Sequence, residues 1–337
     1  MDPLKDVTVL GAGSWGTALA KVLADKGHAV TLWGRNAEHA AEIERARQNA
    51  KYLPGAALPA TLRATADLRA AVERRPFVVS VVPSHTTRQV LGEAAAWLDP
   101  DAVVVSASKG IENESLETMD EVMKHTLPGR LGARIAFLSG PSFAKEVGRG
   151  LPTAVVVASH DRGSAEAVSE LFRGERFRVY TSDDVTGVEL GGALKNVVAI
   201  ASGIVDGMGL GHNTRAALIT RGLHEISKLA VRKGANPLTL AGLAGMGDLI
   251  LTCTGDLSRN RTVGFGLGEG KRLADVLAGM TQIAEGVKTT KSAHDLSRKL
   301  GVEMPIMACV YQILYEDRSA RDAVQDLMGR APKHELG

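Results

Sequence analysis

The sequence predicts an α/β fold in two parts, a doubly wound, mostly parallel β-sheet over residues 1–184 followed by an all-helical domain over residues 185–337. Three observations carry this expectation. Short apolar runs rich in β-branched residues alternate with longer helical patterns through the first half, and a glycine-rich turn joins the first run to the first helix. From about Val185 the strand-like runs stop, and Ala/Leu/Gly-rich helical periodicity continues to the end.

The runs are Val7–Leu10, Ala29–Trp33, Phe77–Val82, Ala102–Ala107, Ile135–Leu138 and Thr153–Ala158, with Phe177–Thr181 as a last strand. They do not alternate with polar residues, which fits strands covered on both faces and hence a largely parallel sheet. Ser182-Asp183-Asp184 marks the boundary, because polar residues after the last strand can cap the first long helix. Helical spacing is plain across Ala216–Lys233 and Val287–Leu300, and Ala331–Gly337 is expected to fray.

A chain of 337 residues suits two domains of roughly 100–200 residues each. Forty basic against 38 acidic residues give a net charge of +2, and no basic run resembles a nucleic-acid footprint. The partners expected are small molecules or further subunits. Cys253 and Cys309 lack metal-ligand spacing and read as reduced thiols, with no metal site. The stretch Met1–Asp6 has no apolar signal segment, and no apolar run approaches the roughly 20 residues that span a bilayer. A cytoplasmic protein without stable membrane insertion is expected.

The stretch "VTVLGAGSWGTALAKVLADKGH" carries Gly11, Gly13 and Gly16 as G-x-G-x-x-G between a strand and a helix, with Gly27 at the helix's expected left-handed end. In a dinucleotide site Gly11 permits the turn, Gly13 lets the backbone approach a pyrophosphate, and Gly16 lets helix and strand pack closely. The phosphates then lie on the helix N-terminus. A glycine turn without a ligand is the alternative reading. An NAD-selective site usually carries an acid at the end of the second strand. Here that strand ends Trp33-Gly34-Arg35-Asn36, so Arg35 is either a reader of a 2′-phosphate or a solvated loop residue. The expectation is NADP(H) or NAD(H), with NADP(H) favoured.

The helix "ELGGALKNVVAIASG" interrupts a small, apolar surface with Lys195 and Asn196. A lysine buried there loses hydration, its pKa falls, and it becomes suited to proton transfer near neutral pH. A lysine snorkelling to water is the alternative. Downstream, Asp248 either caps the helix after it or positions Lys195. Ser258-Arg259-Asn260 is either a surface turn or a phosphate grip built from a guanidinium fork and backbone N–H groups. Ser108-Lys109-Gly110 and Ser139–Ala144 follow strands at their carboxyl ends, where open α/β sheets bind ligands.

Together "GAGSWGTALA", "SASKGIE", "LSGPSFAKEV", "GGALKNVVAIASG" and "GDLILTCTGDLSRNRTVG", in order from residue 7 to about 315, resemble the bacterial-type NAD(P)-dependent glycerol-3-phosphate dehydrogenases. The resemblance implies a Rossmann-type first domain and a second domain like the C-terminal part of 6-phosphogluconate dehydrogenase. It implies reversible reduction of dihydroxyacetone phosphate to sn-glycerol 3-phosphate for glycerophospholipid synthesis, in a homodimer. It assigns Lys195 as catalytic acid/base. It places Lys109, Gly140, Ser142, Lys195, Asp248, Ser258, Arg259 and Asn260 at the substrate, with Thr252 near the reacting end. Around the cofactor it places Gly11, Gly13, Ser14, Trp15, Gly16, Arg35, Lys109, Ala144, Arg259, Ile283 and Glu285. One departure is Ile283-Ala284 before Glu285-Gly286, where the family more often has two valines. A 6-phosphogluconate-type dehydrogenase shares the architecture and a lysine on the corresponding helix. A non-catalytic NAD(P)H sensor would need the glycine loop without Lys195, Asp248 and Arg259.

Overall fold

The computed structural model describes residues 4–280, 284–331 and 334–335. Ile283, and residues 332–333 and 336–337 of the expected frayed tail, lie outside the described residues. Among those described, eight strands form one sheet: β1 Asp6–Leu10, β2 Ala29–Trp33, β3 Leu62–Thr65, β4 Phe77–Ser80, β5 Val103–Ser106, β6 Ile135–Ser139, β7 Thr153–Ala158 and β8 Phe177–Ser182. Their order is β3-β2-β1-β4-β5-β6-β7-β8. Every neighbouring pair is parallel except β6 and β7, which run antiparallel with Leu138 opposite Val157.

All four residues of β4 and of β5 are buried, as continuous Val-rich runs require when helices cover both faces. Successive side chains then feed two separate cores. Val79 and Val105 join the cluster containing Leu19 and Leu23, while Val78 and Val104 join the one containing Leu91 and Met123. Each such side chain contributes about 1.5–3 kcal/mol by leaving water.

The sequence reading missed β3. Its residues, Leu-Arg-Ala-Thr, contain one fully buried side chain, Leu62, so no apolar run announces it. The strand forms because the edge of β2 offers backbone partners, with Val30 opposite Leu62 and Trp33 opposite Thr65. The chain leaves β1 towards β3 on one side and returns to β4 on the other. The crevice between the carboxyl ends of β1 and β4 is therefore the topological switch point.

From Val185 onward the described residues form helices and no strand. The Val185–Gly207 helix is the axis of this part. Every residue from Leu190 to Val205 is buried, and the Gly211–Arg232, Asp248–Thr254, Arg259–Gly268 and Glu285–Leu300 helices pack most extensively against it. It corrects one expectation, since with 23 residues and mean hydropathy 1.4 it is long and apolar enough to cross a membrane. Residues 237–254 pass the same test with mean hydropathy 1.3. The apolarity of the first serves the core, for 94% of its apolar window is buried in protein. The second is broken into the Pro237–Leu240, Leu243–Gly247 and Asp248–Thr254 turns and helices.

Small residues let the helices approach this axis. A methyl group on Gly264, in the Arg259–Gly268 helix, would fall on the Ile200 carbonyl oxygen and within 2.9 Å of the Ile204 nitrogen. Gly264→Ala is therefore expected to lower stability in urea unfolding by about 1–3 kcal/mol through overpacking. Gly174→Ala, with no neighbour within 4 Å of its Cβ, should leave the unfolding midpoint nearly unchanged.

Candidate active site

The glycine loop has the three geometries its spacing implies. Gly11 has φ +118°, and a Cβ there would lie 2.8 Å from the Val81 carbonyl oxygen. A Cβ on Gly16 would fall on the Gly11 carbonyl oxygen, so the Ser14–Asp25 helix packs against the turn. Gly13 meets nothing within 4 Å. The loop is thus closed on its protein side and open at Gly13, just before the helix N-terminus. That surface fits the pyrophosphate of a dinucleotide, which the first-turn N–H groups of Ser14 and Trp15 can face.

The side chains of this turn have structural partners. The Ser14 hydroxyl donates to the Tyr52 carbonyl at 2.6 Å. Trp15 packs against the core cluster on its side of the sheet, and its indole nitrogen is buried without a hydrogen-bond partner among the described residues. Arg35 is exposed just past β2, and the next residue, Asn36, caps the Ala37–Ala46 helix by accepting from the His39 N–H. Ala144 opens the Ala144–Gly148 helix after the β6 loop.

At the carboxyl ends of the middle strands, the loop after β5 meets the second part of the chain. Lys195 is 6% exposed and Asp248 2%. The Lys195 ammonium lies 3.0 Å from Asp248 Oδ1 and donates to Thr252 Oγ1 at 2.7 Å. Thr252 in turn donates to the Asp248 carbonyl at 2.6 Å, one helical turn back. Lys109 takes the other carboxylate oxygen, Asp248 Oδ2, at 2.5 Å, and reaches the Gly140 carbonyl at 3.3 Å. One carboxylate thus holds two lysines from opposite sides of the cleft. Asp248 does not cap its helix, where Gly247 stands at the N-cap position.

Local sequence explains why Lys109 can enter. A methyl group on Gly192, one turn before Lys195, would stand 2.7 Å from Ser139 Oγ and 3.7 Å from the Lys109 stem. Burial pushes the Lys195 ammonium down to about 8, Asp248 opposes that fall, and Lys109 adds to it. The snorkelling alternative fails here because the helix is enclosed on all sides.

Ser142 donates to the Gly140 carbonyl at 2.9 Å, closing the β6 loop on itself. Ser258 caps the Arg259–Gly268 helix by accepting from the Arg261 N–H. Asn260 holds three elements together: its amide donates to Asn196 Oδ1 at 2.9 Å, and its oxygen accepts the Gly286 N–H at 2.9 Å. Sequence reasoning gave Asn260 only a phosphate-gripping role. The missed signal was Asn196, a second amide beside Lys195 on a helix with little else polar. Arg261 is engaged by Asp206 and Asp256 and stands apart from the site. Burial lowers the Arg259 pKa while Glu285 counters it, and burial raises the Glu285 pKa against the pull of Arg259, Lys109 and Lys195. Glu285, at the start of the Glu285–Leu300 helix, therefore faces the same charge cluster.

Residues 6–165 match the family model described as NAD-dependent glycerol-3-phosphate dehydrogenase N-terminus, and residues 184–325 match its C-terminus. The chain is 56% identical over 331 residues to a glycerol-3-phosphate dehydrogenase (NAD(P)+) of Geobacter metallireducens, covering 98% of this chain and 99% of the relative. It is 54% identical over 329 residues to the protein of the same name from Myxococcus xanthus, covering 98% of each. A crystal structure of glycerol-3-phosphate dehydrogenase from Coxiella burnetii superposes with a TM-score of 0.93 at 43% identity, covering 97% of this chain and 99% of that one. A chain matched along both halves by the family's two models, and more than half identical to full-length relatives of that name, belongs to the NAD-dependent glycerol-3-phosphate dehydrogenase family.

Proposed function

We propose that the chain reversibly reduces dihydroxyacetone phosphate to sn-glycerol 3-phosphate with an NAD(P) cofactor, and that Lys195 is the general acid/base. The observation that carries the chemistry is a buried lysine with a pKa of about 8, fixed by Asp248 and Thr252 at the carboxyl edge of the sheet. Family membership supports the substrate and the cofactor class. The same reading carries a domain boundary near residue 184, a role in glycerophospholipid synthesis, a cytoplasmic location and a homodimer.

When bound, the dinucleotide supplies or accepts the hydride. The glycine loop and Arg35 would hold it, with Ala144 and Glu285 as further contacts to the cofactor. Arg35 in place of an acid favours NADP(H). As ketone becomes alkoxide, negative charge grows on one oxygen, and the Lys195 ammonium stabilises that charge and delivers its proton there. In the reverse direction the neutral amine takes the hydroxyl proton. Asp248 is a positioning residue: it keeps Lys195 at one place and holds up its proton affinity. Arg259 and the first-turn N–H groups of its helix bind the remote phosphate, whose binding energy orients the small reacting end.

The direct test follows NADPH oxidation by dihydroxyacetone phosphate, with NADH and then 6-phosphogluconate plus NADP as alternatives. Turnover of the sugar acid without turnover of the triose phosphate overturns the proposal. Lys195→Ala should bind cofactor as the parent does while kcat falls about 10²- to 10⁴-fold. Near-normal turnover of the purified variant would remove Lys195 from its role.

The Lys195 pKa sets opposite pH profiles for the two directions. Ketone reduction needs the ammonium, so its kcat should be flat at low pH and fall above about 8. Alcohol oxidation needs the free amine, so its kcat should rise with pH and level off above about 8. In Asp248→Asn the carboxylate that raises the Lys195 pKa is gone, while burial and Lys109 still lower it. Both midpoints should then move to lower pH, and unchanged midpoints would show that Asp248 does not tune the lysine.

A further inference from the structure

Between the Ala37–Ala46 helix and β3 the chain makes a closed excursion over residues 48–58. Gln48 pairs with Ala57 as an isolated antiparallel bridge, and the Leu58 N–H donates to the Arg47 carbonyl at 2.9 Å. Leu53 anchors the excursion in the core cluster that contains Leu19 and Leu23. It lies against Gly148 of the Ala144–Gly148 helix, where a methyl group would stand 2.8 Å from Leu53 Cδ2.

Asn49, at the start of the excursion, is 1% exposed, and its amide is used on both sides. Its Nδ2 donates to the Ala12 carbonyl at 3.0 Å and to Thr17 Oγ1 at 2.8 Å. Its Oδ1 accepts the Tyr52 N–H at 3.3 Å and lies 3.0 Å from His39 Nε2. The Tyr52 carbonyl in turn accepts the Ser14 hydroxyl. The excursion therefore grips the glycine loop and the start of its helix at Ala12, Ser14 and Thr17.

The bond to Ala12 has a directional consequence. A trans peptide is planar, so its carbonyl and the N–H of the next residue point opposite ways. With the Ala12 carbonyl turned to Asn49, the Gly13 N–H is turned away from the excursion. Gly13 is also the open position of the loop, where an added Cβ would meet nothing within 4 Å. Glycines on both sides of Ala12 leave its peptides free to rotate, and freezing them on binding costs entropy that a loop already held does not lose.

We propose that Asn49 is a positioning residue for the dinucleotide: by holding the Ala12 carbonyl it fixes the Gly13 N–H in the direction from which a pyrophosphate oxygen can accept it. The assignment rests on the dinucleotide reading of the glycine loop. Lys109, Lys195 and Asp248 stand on other elements, so the hold acts on cofactor binding and not on proton transfer.

The test measures NADPH binding to the full chain by calorimetry, steady-state kinetics, and backbone hydrogen exchange over residues 11–17 without ligand. Asn49→Ala should weaken NADPH roughly three- to ten-fold, the worth of one or two neutral hydrogen bonds, and speed exchange in residues 11–17. The kcat at saturating NADPH and the KM for dihydroxyacetone phosphate should stay within about two-fold of the parent. A residue that only stabilises the fold would lower the urea midpoint and leave NADPH affinity unchanged, and that result overturns the assignment. Should Asn49→Ala not fold, His39→Ala removes the outer brace of the same amide and should weaken NADPH about two-fold. Unchanged affinity there overturns the assignment equally. Faster exchange in Asn49→Ala of a chain whose parent does not bind NADPH would refute the dinucleotide reading and leave the hold on the loop standing.

Discussion

The site depends on one interaction, the sharing of the Asp248 carboxylate between Lys109 and Lys195. Two ammonium groups cannot be brought into a buried cleft unless an anion meets them there, and a buried carboxylate equally needs cations. Because Lys109 comes from the sheet part and the other two from the helical part, the same ion cluster fixes the relation between the two. Removing one partner would leave an uncompensated buried charge, which is far more damaging than exchanging the whole cluster for apolar groups.

The charges do not cancel, and that matters for binding. Two ammoniums against one carboxylate leave an excess of one positive charge, near the guanidinium of Arg259. Glu285 lies close enough to feel all three cations, yet burial holds its own pKa up. A low-dielectric cleft with a net positive lining attracts a phosphate ester and strengthens each contact it makes. Lys195 serves a different purpose from its neighbours, since desolvation brings its proton affinity near physiological pH.

The sheet, the glycine loop and the helical axis were legible in the sequence because each leaves a local pattern. Valine runs record burial on both faces, and three glycines at fixed spacing record a turn, an open backbone and a close packing. Lys195 stood out because a charge is conspicuous within small apolar residues. β3 was not legible, since an edge strand with one buried leucine is held by the backbone of its neighbour and has no apolar run of its own. Nor could sequence distinguish a cap from an ion partner at Asp248: the same residue before a helix serves either, and only the arrival of Lys109 across the cleft decides. Asn260 shows the same limit, because its partners Asn196 and Gly286 are 64 and 26 residues away.

Asn260 also explains how parts of the site move, or fail to move, together. Its side chain ties the lysine helix to the start of the Glu285 helix, and it stands in the first turn of the helix whose N-terminus faces the proposed phosphate site. Gly286 is glycine because a methyl group there would meet Asn260 Oδ1 at 2.6 Å and the Asn196 carbonyl at 2.8 Å. The three helices therefore touch backbone to side chain, with no room for one to shift alone. In the proposed mechanism a phosphate held by Arg259 would orient the reacting end against Lys195 only if the two helices kept a fixed distance, which the Asn196–Asn260 amide pair sets. Binding energy gained at the phosphate can then act at the carbonyl without being lost in adjustment between them.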